Sequence, residues 1–363
     1  MGASVSRFLL LDIGAGTLDL LWYDADSGRH FKAVCRSPVL TKADEARRLE
    51  GDILVTGCEM GGGEVSGVLK EKAREARVVM SASSAATVHH DAERVRSFGI
   101  RVVPDDEAED LGRSGGYARL VTGDLDVGRI RRLLEGLDVP FAFDVVCACA
   151  QDHGVPPQGI SHLDFRHERF RALLEPSPFP ESLLYAADRV PGEFNRLRSI
   201  ARDAAGLPAG EVYVMDSGMA AVLGASLDPE ALSCTRLLVL DVATSHTVGA
   251  ALEEGELCGF FEYHTADVTR ERMDGLLEGL AEGSLSHRAI LEEGGHGAYI
   301  RRSFGMDAVE RVVATGPKRG LLEGSLPGIR PGAPWGDNMM TGTVGMLEAV
   351  HRRNGWGSVS RMW

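Results

Sequence analysis

The chain has 363 residues, 44% hydrophobic and 25% charged, an ordinary composition for a globular protein and enough length for two cores. A net charge of −14 with no Lys/Arg stripe argues against nucleic acid as a partner, and the lack of any long apolar run argues against a membrane span. Six scattered cysteines without a C-x-x-C pair argue against a zinc site or a thioredoxin-type motif and fit a reducing cytoplasm.

Met1-Gly2-Ala3-Ser4-Val5-Ser6 meets a short myristoylation pattern that chance often satisfies. A lipid on Gly2 would crowd the first core strand, so no anchor is expected. Residues 8–23 read as a hairpin of two apolar strands around a Gly-rich turn. A helix-rich and loop-rich stretch follows, with helical spacing at 40–49 and 65–76. Short strands at 77–80 and 100–103 flank a helix at 91–98, and 105–110 is an acidic surface run. A helix at 127–137 precedes a strongly apolar strand at 141–150. Prolines at 156–157 and 176–180 mark loops, and 182–202 reads as mainly helical, broken at Pro191. A strand at 212–215 leads to Asp216, a helix cap for a helix from Ser217. A second hairpin spans 237–249 and turns at 253–256 into a strand at 257–263. Helices at 270–282 and 286–292, a strand at 310–314 with a turn at Thr315–Gly316, and a helix at 339–353 complete the chain.

The two hairpins repeat one pattern, with Asp12 recurring as Asp241, 229 positions on, which implies an internal duplication of an α/β unit. In the first turn, Asp12 can hold hydrated Mg²⁺. Gly14, Ala15, Gly16 and Thr17 can offer N–H groups to phosphate, since glycine lets a ligand approach the backbone. Asp19 closes the motif. The second turn carries Asp241, Thr244, Ser245, His246 and Thr247, with Ala243 and Ser245 in the glycine slots, which should restrict φ and approach. Gly218, Ala221 and Ala225 share a stripe at i, i+3, i+7, as do Gly342, Gly345 and Ala349, a pattern for two helices crossing closely. Arg311–Pro317 is a strand entering a Gly turn, against which a base or ribose can rest.

In order and type these segments resemble the actin, sugar-kinase and heat-shock-chaperone ATPase superfamily. The similarity is greatest to a prokaryotic branch in which Asp12–Thr17, Met60–Gly63, Gln151–Gly154 and Glu262-Tyr263-His264-Thr265 recur. The resemblance implies an α/β fold, a duplicated RNase H-like unit with two lobes and a central cleft. It implies lobe I at 1–225 with an acceptor-specific insertion near 30–140, lobe II at 226–337, and a C-terminal helix at 338–363 returning to lobe I. It further implies ATP and Mg²⁺ as cofactors, with Asp12 and Asp241 facing the metal, Gly14, Gly16 and Thr17 on phosphates, and Thr315 and Gly316 by the adenosine. Branch members have been labelled pyruvate formate-lyase activating enzymes. That radical chemistry needs a three-cysteine cluster motif that this sequence lacks.

Beyond those motifs, Gln151, Asp152, His153 and Gly154 follow the buried strand and emerge at its C-terminal end, where α/β ligands bind. His153, His246, Glu262 and His264 are expected to converge as a second metal site or an acid/base pair. Met60–Gly63 and Gly294–Gly297 are candidate anion turns, and Asp152 or Asp19 a candidate base. The expected partners are a nucleotide and a small-molecule acceptor or water, with a homodimer one assembly open to the chain. Phosphoryl transfer is the leading reading. A non-catalytic nucleotide sensor and a histidine-based metal hydrolase are the alternatives.

Overall fold

The computed structural model describes residues 5–325 and 328–362, so most of the Met1–Ser6 pattern lies outside the described residues. β1 (Arg7–Ile13), β2 (Thr17–Asp24) and β3 (Arg29–Arg36) form an antiparallel meander. The strand β3 falls where a loop-rich stretch was expected. Its alternating half-exposed pattern is that of a sheet edge, which carries little apolar signal. Next come α1 (Pro38–Arg48), β4 (Ile53–Gly57), α2 (Gly63–Lys72), β5 (Val78–Ser81), α3 (Ala82–Ala85), α4 (Ala92–Ser97), β6 (Ile100–Val103), α5 (Asp105–Ser114) and β7 (Ala118–Thr122). Their strands make a separate parallel sheet in the order β6-β5-β4-β7, spliced after β3.

The chain then returns through α6 (Val127–Gly136) to β8 (Phe143–Ala150), which lies parallel to β1 and is buried on both faces, as a central parallel strand must be. There follow α7 (His162–Leu174), β9 (Leu184–Ala186), α8 (Asn195–Ala204), β10 (Ala209–Asp216) and α9 (Ser217–Ala225). The first sheet is thus ordered β3-β2-β1-β8-β10-β9. The helix expected across 182–202 is confined to its last part. Leu184–Ala186 instead pairs with β10, because a sheet edge outweighs local helix propensity there.

The second half repeats the plan with β11 (Arg236–Val242), β12 (His246–Glu253), β13 (Glu256–His264), α10 (Arg270–Glu282), α11 (His287–Glu292), β14 (Gly297–Ile300), β15 (Arg311–Thr315), β16 (Ile329–Pro331) and α12 (Thr341–Asn354). Its sheet order is β14-β13-β12-β11-β15-β16. In each half, three antiparallel strands continue into two parallel ones, so strand for strand β3-β2-β1-β8-β10 matches β13-β12-β11-β15-β16. This is a duplicated RNase H-like α/β fold. Among the described residues no helix is long and apolar enough to cross a membrane.

The halves are joined where α9 and α12 cross. A Cβ on Gly224 would overlap the Thr341 carbonyl oxygen, and one on Gly345 would overlap the Ala220 carbonyl oxygen. Backbone therefore touches backbone, closer than any side chain permits. Gly345 comes from an expected stripe, but its partner is Gly224, which the expected set omitted. Gly342 faces the Asp12 carboxylate, Gly218 faces Asp216 and Val248, and Ala221 lines the cleft. Gly345→Ala is expected to destabilise the protein by about 3 kcal/mol, the upper range for overpacking a rigid contact. Urea unfolding measures this, and a loss below about 1 kcal/mol would show that the crossing is looser than described.

Candidate functional site

A cavity of about 500 Å³ lies between the two repeated sheets and the inserted one. Asp12, Gly14, Ala15, Gly16, Thr17 and Asp19 line it from the first half, and Asp241, Thr244, Ser245, His246, Glu262 and Gly316 from the second. Its remaining wall includes Asp152 and His153 after β8, and Glu59–Gly63 and Ala86–His90 from the insertion.

The two turns are built alike. The Gly14 N–H donates to the Thr17 carbonyl at 2.9 Å, and the Ala243 N–H donates to the His246 carbonyl at 3.2 Å. Each is tied from the residue after its third strand. The Ser37 hydroxyl donates to the Gly14 carbonyl at 2.6 Å, and the Thr265 hydroxyl donates to the Ala243 carbonyl at 2.9 Å. The Ser37 and Thr265 N–H groups donate to the carbonyls of Gly16 and Ser245, at 3.0 and 2.9 Å. Neither Gly14 nor Gly16 adopts a positive φ, so Ala243 and Ser245 impose no backbone strain, contrary to the expected restriction. Gly16 is required for another reason. A Cβ there would meet the Thr244 side chain at 2.9 Å, so the turns pack directly on one another.

Beneath the turns sit carboxylates. Asp12 and Asp19 are direct partners across the β1–β2 ladder, which puts both on one face. Burial pushes the Asp12 carboxyl up to about 6. Burial and repulsion from Asp12 push Asp19 up to about 8, and burial and repulsion from Asp12 push Asp241 up to about 7. Among the described residues no Lys or Arg forms an ion pair with any of the three. Asp19 Oδ1 is buried without a hydrogen-bond partner. Three mutually repelling carboxyls with an orphaned oxygen fit a hard divalent cation such as Mg²⁺.

Several expected residues play other parts. Thr247 and Thr315 are fully buried behind the cavity wall, not at a phosphate. The Thr247 hydroxyl meets that of Thr265 at 3.0 Å, and the Thr315 hydroxyl donates to Asp241 Oδ1 at 3.0 Å. Asp152 is buried on the cavity wall, and its two oxygens accept the N–H groups of Gly154 and Leu197 at 2.8 and 3.0 Å. It shapes the loop after β8. Gly316 has φ 89°, and a Cβ there would lie 2.5 Å from the Val242 carbonyl oxygen, so only glycine fits this wall.

The polar set does converge, with an added member. His153 and His246 have ring centroids 6.4 Å apart, and His246 and His264 4.7 Å apart. His264 lies at the cavity's edge and is exposed. His296, within an expected anion turn, completes the cluster at 4.7 Å from the His246 ring. The unexpected strand β14 is what brings it there. Burial holds the His153 imidazole down to about 3 and His246 to about 4, so both are neutral at pH 7. Desolvation works to raise the Glu262 carboxyl, but the buried Arg166 guanidinium, 3.4 Å away, and the neighbouring histidines together hold it down to about 2. Arg166 also pairs with Asp216 at 2.9 Å and donates to the Asp152 carbonyl at 2.7 Å. Arg166, Glu59 and Arg196 went unremarked in the sequence, where they are ordinary charged residues, and His90 stands just before the helix cap Asp91. Glu59 and His90 pair at 2.8 Å, and Arg196 grips Asp124 at 2.7 Å, linking the insertion to the cleft.

Residues 60–321 match the family model described as "Putative pyruvate format-lyase activating enzyme (DUF1786)". The chain belongs to that family. No protein of curated description matches it in sequence. Among solved structures, the ROK hexokinase from Thermus thermophilus aligns at 16% identity over 97% of this chain and 100% of that one, with a TM-score of 0.32. The ethanolamine utilization protein EutJ from Carboxydothermus hydrogenoformans aligns at 10% identity over 95% of this chain and 89% of that one, TM-score 0.30. The Aquifex aeolicus PPX-GPPA enzyme aligns at 10% identity over 86% and 68%, TM-score 0.28. The strand order itself carries the fold assignment, a duplicated RNase H-like α/β unit.

The raised carboxyls make stability depend on pH. Asp241 and Asp19 titrate near 7 and 8 when folded but near 3.8 in an unfolded chain, so the folded state binds more protons and loses stability as pH rises. The buried histidines act oppositely, but only below about pH 6.5, their unfolded pKa. With chelator present, the melting temperature should therefore fall between about pH 6.5 and 8. Added Mg²⁺ should raise it more at the upper end, and Asp19→Asn should flatten the slope. A pH-independent melting temperature in scanning fluorimetry would overturn this account of the carboxyls.

Proposed function

We propose that this chain binds MgATP in the central cleft and transfers its γ-phosphoryl group to a small metabolite or to water. The observation that carries the reading is the uncompensated trio Asp12, Asp19 and Asp241 beneath two facing, equivalently tied turns. The trio supplies negative charge where a nucleotide needs its cation, and the turns supply backbone donors on either side. A cavity near 500 Å³ is within the usual range for a ligand of nucleotide size.

Mg²⁺ at these carboxylates would neutralise charge on the phosphates during transfer. The protein's own contribution is positioning and a fixed electrostatic environment. Asp12 and Asp241 sit at the ends of β1 and β11, held rigidly, with the Thr315 hydroxyl fixing Asp241. Gly16 and Thr244 close the turns over them. Gly316 and Asn338, joined by a hydrogen bond of 3.1 Å, offer a flat wall for the nucleoside. Asp19, on the cavity wall beside Asp12, is the carboxylate suited, when ionised, to take a proton from the acceptor. The insertion contributes Glu59 to Gly63 and Ala86 to His90 to the wall, so it is the part that selects the acceptor.

The family's printed description points elsewhere, to activation of a radical enzyme. Among the described residues no three cysteines lie together as ligands, and Cys147 and Cys149 are buried within β8. The cysteines therefore give that reading no support.

Asp12→Asn tests the proposal. It keeps the shape of the side chain and removes a buried charge, so folding should be spared. ATP turnover with Mg²⁺ should fall at least about 100-fold, the scale of losing one charge-stabilising group. Turnover equal to wild type in a folded variant, followed as phosphate release and as transfer to candidate acceptors, would refute the role of Asp12.

A further inference from the structure

His246 begins β12 and His264 ends β13, and the two are direct partners across the antiparallel ladder. Side chains so placed lie on one face with Cβ atoms about 4.5–5.5 Å apart. His296 stands one residue before β14. Its N–H donates to the Glu262 carbonyl oxygen at 2.8 Å, which fixes its backbone beside the same ladder. Three neighbouring strand ends thus present three imidazoles to one point, all within the second half of the chain.

The side chains use that placement. His264 Nε2 and His296 Nε2 are 2.9 Å apart, and one donor atom from each of the three histidines lies within 4.8 Å of the other two. Metal–imidazole bonds of about 2.0–2.1 Å bring such nitrogens to about 3–4 Å from one another, so small side-chain rotations suffice. A hydrogen bond between His264 and His296 explains their contact but nothing else. It leaves His246 Nε2 buried without a partner, and His296 Nδ1 likewise. An ion between the rings satisfies the first. The second points to Glu262 Oε1, 3.9 Å away. A carboxylate behind a ligating imidazole is the usual means of orienting it, and Glu262 is itself held by Arg166 and Gln151.

We propose that His246, His264 and His296 bind one divalent transition-metal ion, Zn²⁺ by ligand preference, with a coordination position open to the cleft. Three protein ligands and one open position is the arrangement of reactive zinc centres, whereas structural ones are closed by four. Imidazole donors favour Zn²⁺ and its transition-metal neighbours over Mg²⁺, so this centre and the aspartate trio select different ions. The open side faces substrate space, since His246 and Glu262 line the cavity. His153 stands beside it, its ring 5.9 Å from that of His296, and reaches across from the first half. The centre therefore suits an anionic or carbonyl-bearing acceptor held against the metal at the cleft edge.

The test uses the full chain, stripped with chelator and titrated with Zn²⁺ against a competing dye, with bound metal counted by mass spectrometry. One Zn²⁺ per chain is expected, and Co²⁺ should give the visible absorption of a low-coordinate nitrogen site. His264→Ala and His296→Ala should each weaken binding by more than about 100-fold, and Glu262→Gln by about 10-fold. His30→Ala, on β3 in the other repeated sheet, should keep wild-type affinity. His264 is exposed at a strand end, so its variant should melt as the metal-free wild type does, which separates ligand loss from misfolding. Unchanged affinity in both alanine variants, or less than about one-tenth of an ion per chain, would overturn the proposal. MgATP binding by the stripped wild type reports on the aspartate cleft alone, so each reading can fail without the other.

Discussion

The contact between Gly224 and Gly345 governs how the molecule is put together. Side chains at either position would hold α9 and α12 apart by the thickness of at least a methyl group. The helices belong to different halves of the chain, so their separation sets how closely the halves meet. α12 also begins beside Asp12, with Gly342 leaving room for the carboxylate. The N-terminus of a helix favours negative charge, which partly offsets what burial and repulsion do to Asp12. A single backbone contact thus locates both the hinge-like core and the charge beneath the turns.

Around it the duplication is close in backbone and loose in side chains. Ser37 and Thr265 tie their turns through the same pair of hydrogen bonds although neither tie is visible as a motif. The turns themselves need no left-handed residue, which is why the second works with Ala243 and Ser245 where the first has glycine. Gly16 is the more tightly constrained of the two glycines, and by its neighbour Thr244 in the other copy. The copies have accordingly taken different surroundings. Carboxylates gather under the first, and imidazoles gather beside the second.

What could be read in the sequence follows from which signals are local. The hairpins, the buried strand β8, the cap at Asp216 and the helices α9, α10 and α12 all carry apolar periodicity or a capping residue, and they stand where expected. The strand β3 is a half-exposed edge without apolar alternation, and β4, β7 and β14 are short and depend on partners far along the chain, so no window of sequence announces them. The site divides in the same way. Asp12, Asp241 and the turn residues were legible as a repeated pattern. Asp152 was legible as polar and well placed, but its capture by two backbone N–H groups is a tertiary fact. His296 sat in a glycine-rich turn with no ligand spacing to His246 or His264, because its proximity is made by the pairing of β14 with β13.

Arg166 lies at the seam. It comes from α7 in the first half and is buried, and its partners are Asp216 in that half and Glu262 in the other, with Gln151 adding a second bond to Glu262. Prising the halves apart would strand a guanidinium with one carboxylate instead of two and leave an anion facing neutral rings. Such groups are costly to leave uncompensated away from water. The seam therefore acts as a clasp whose fastening is electrostatic: parting the halves would bring Arg166, Asp216 and Glu262 into water together, so the three charges resist separation as one unit.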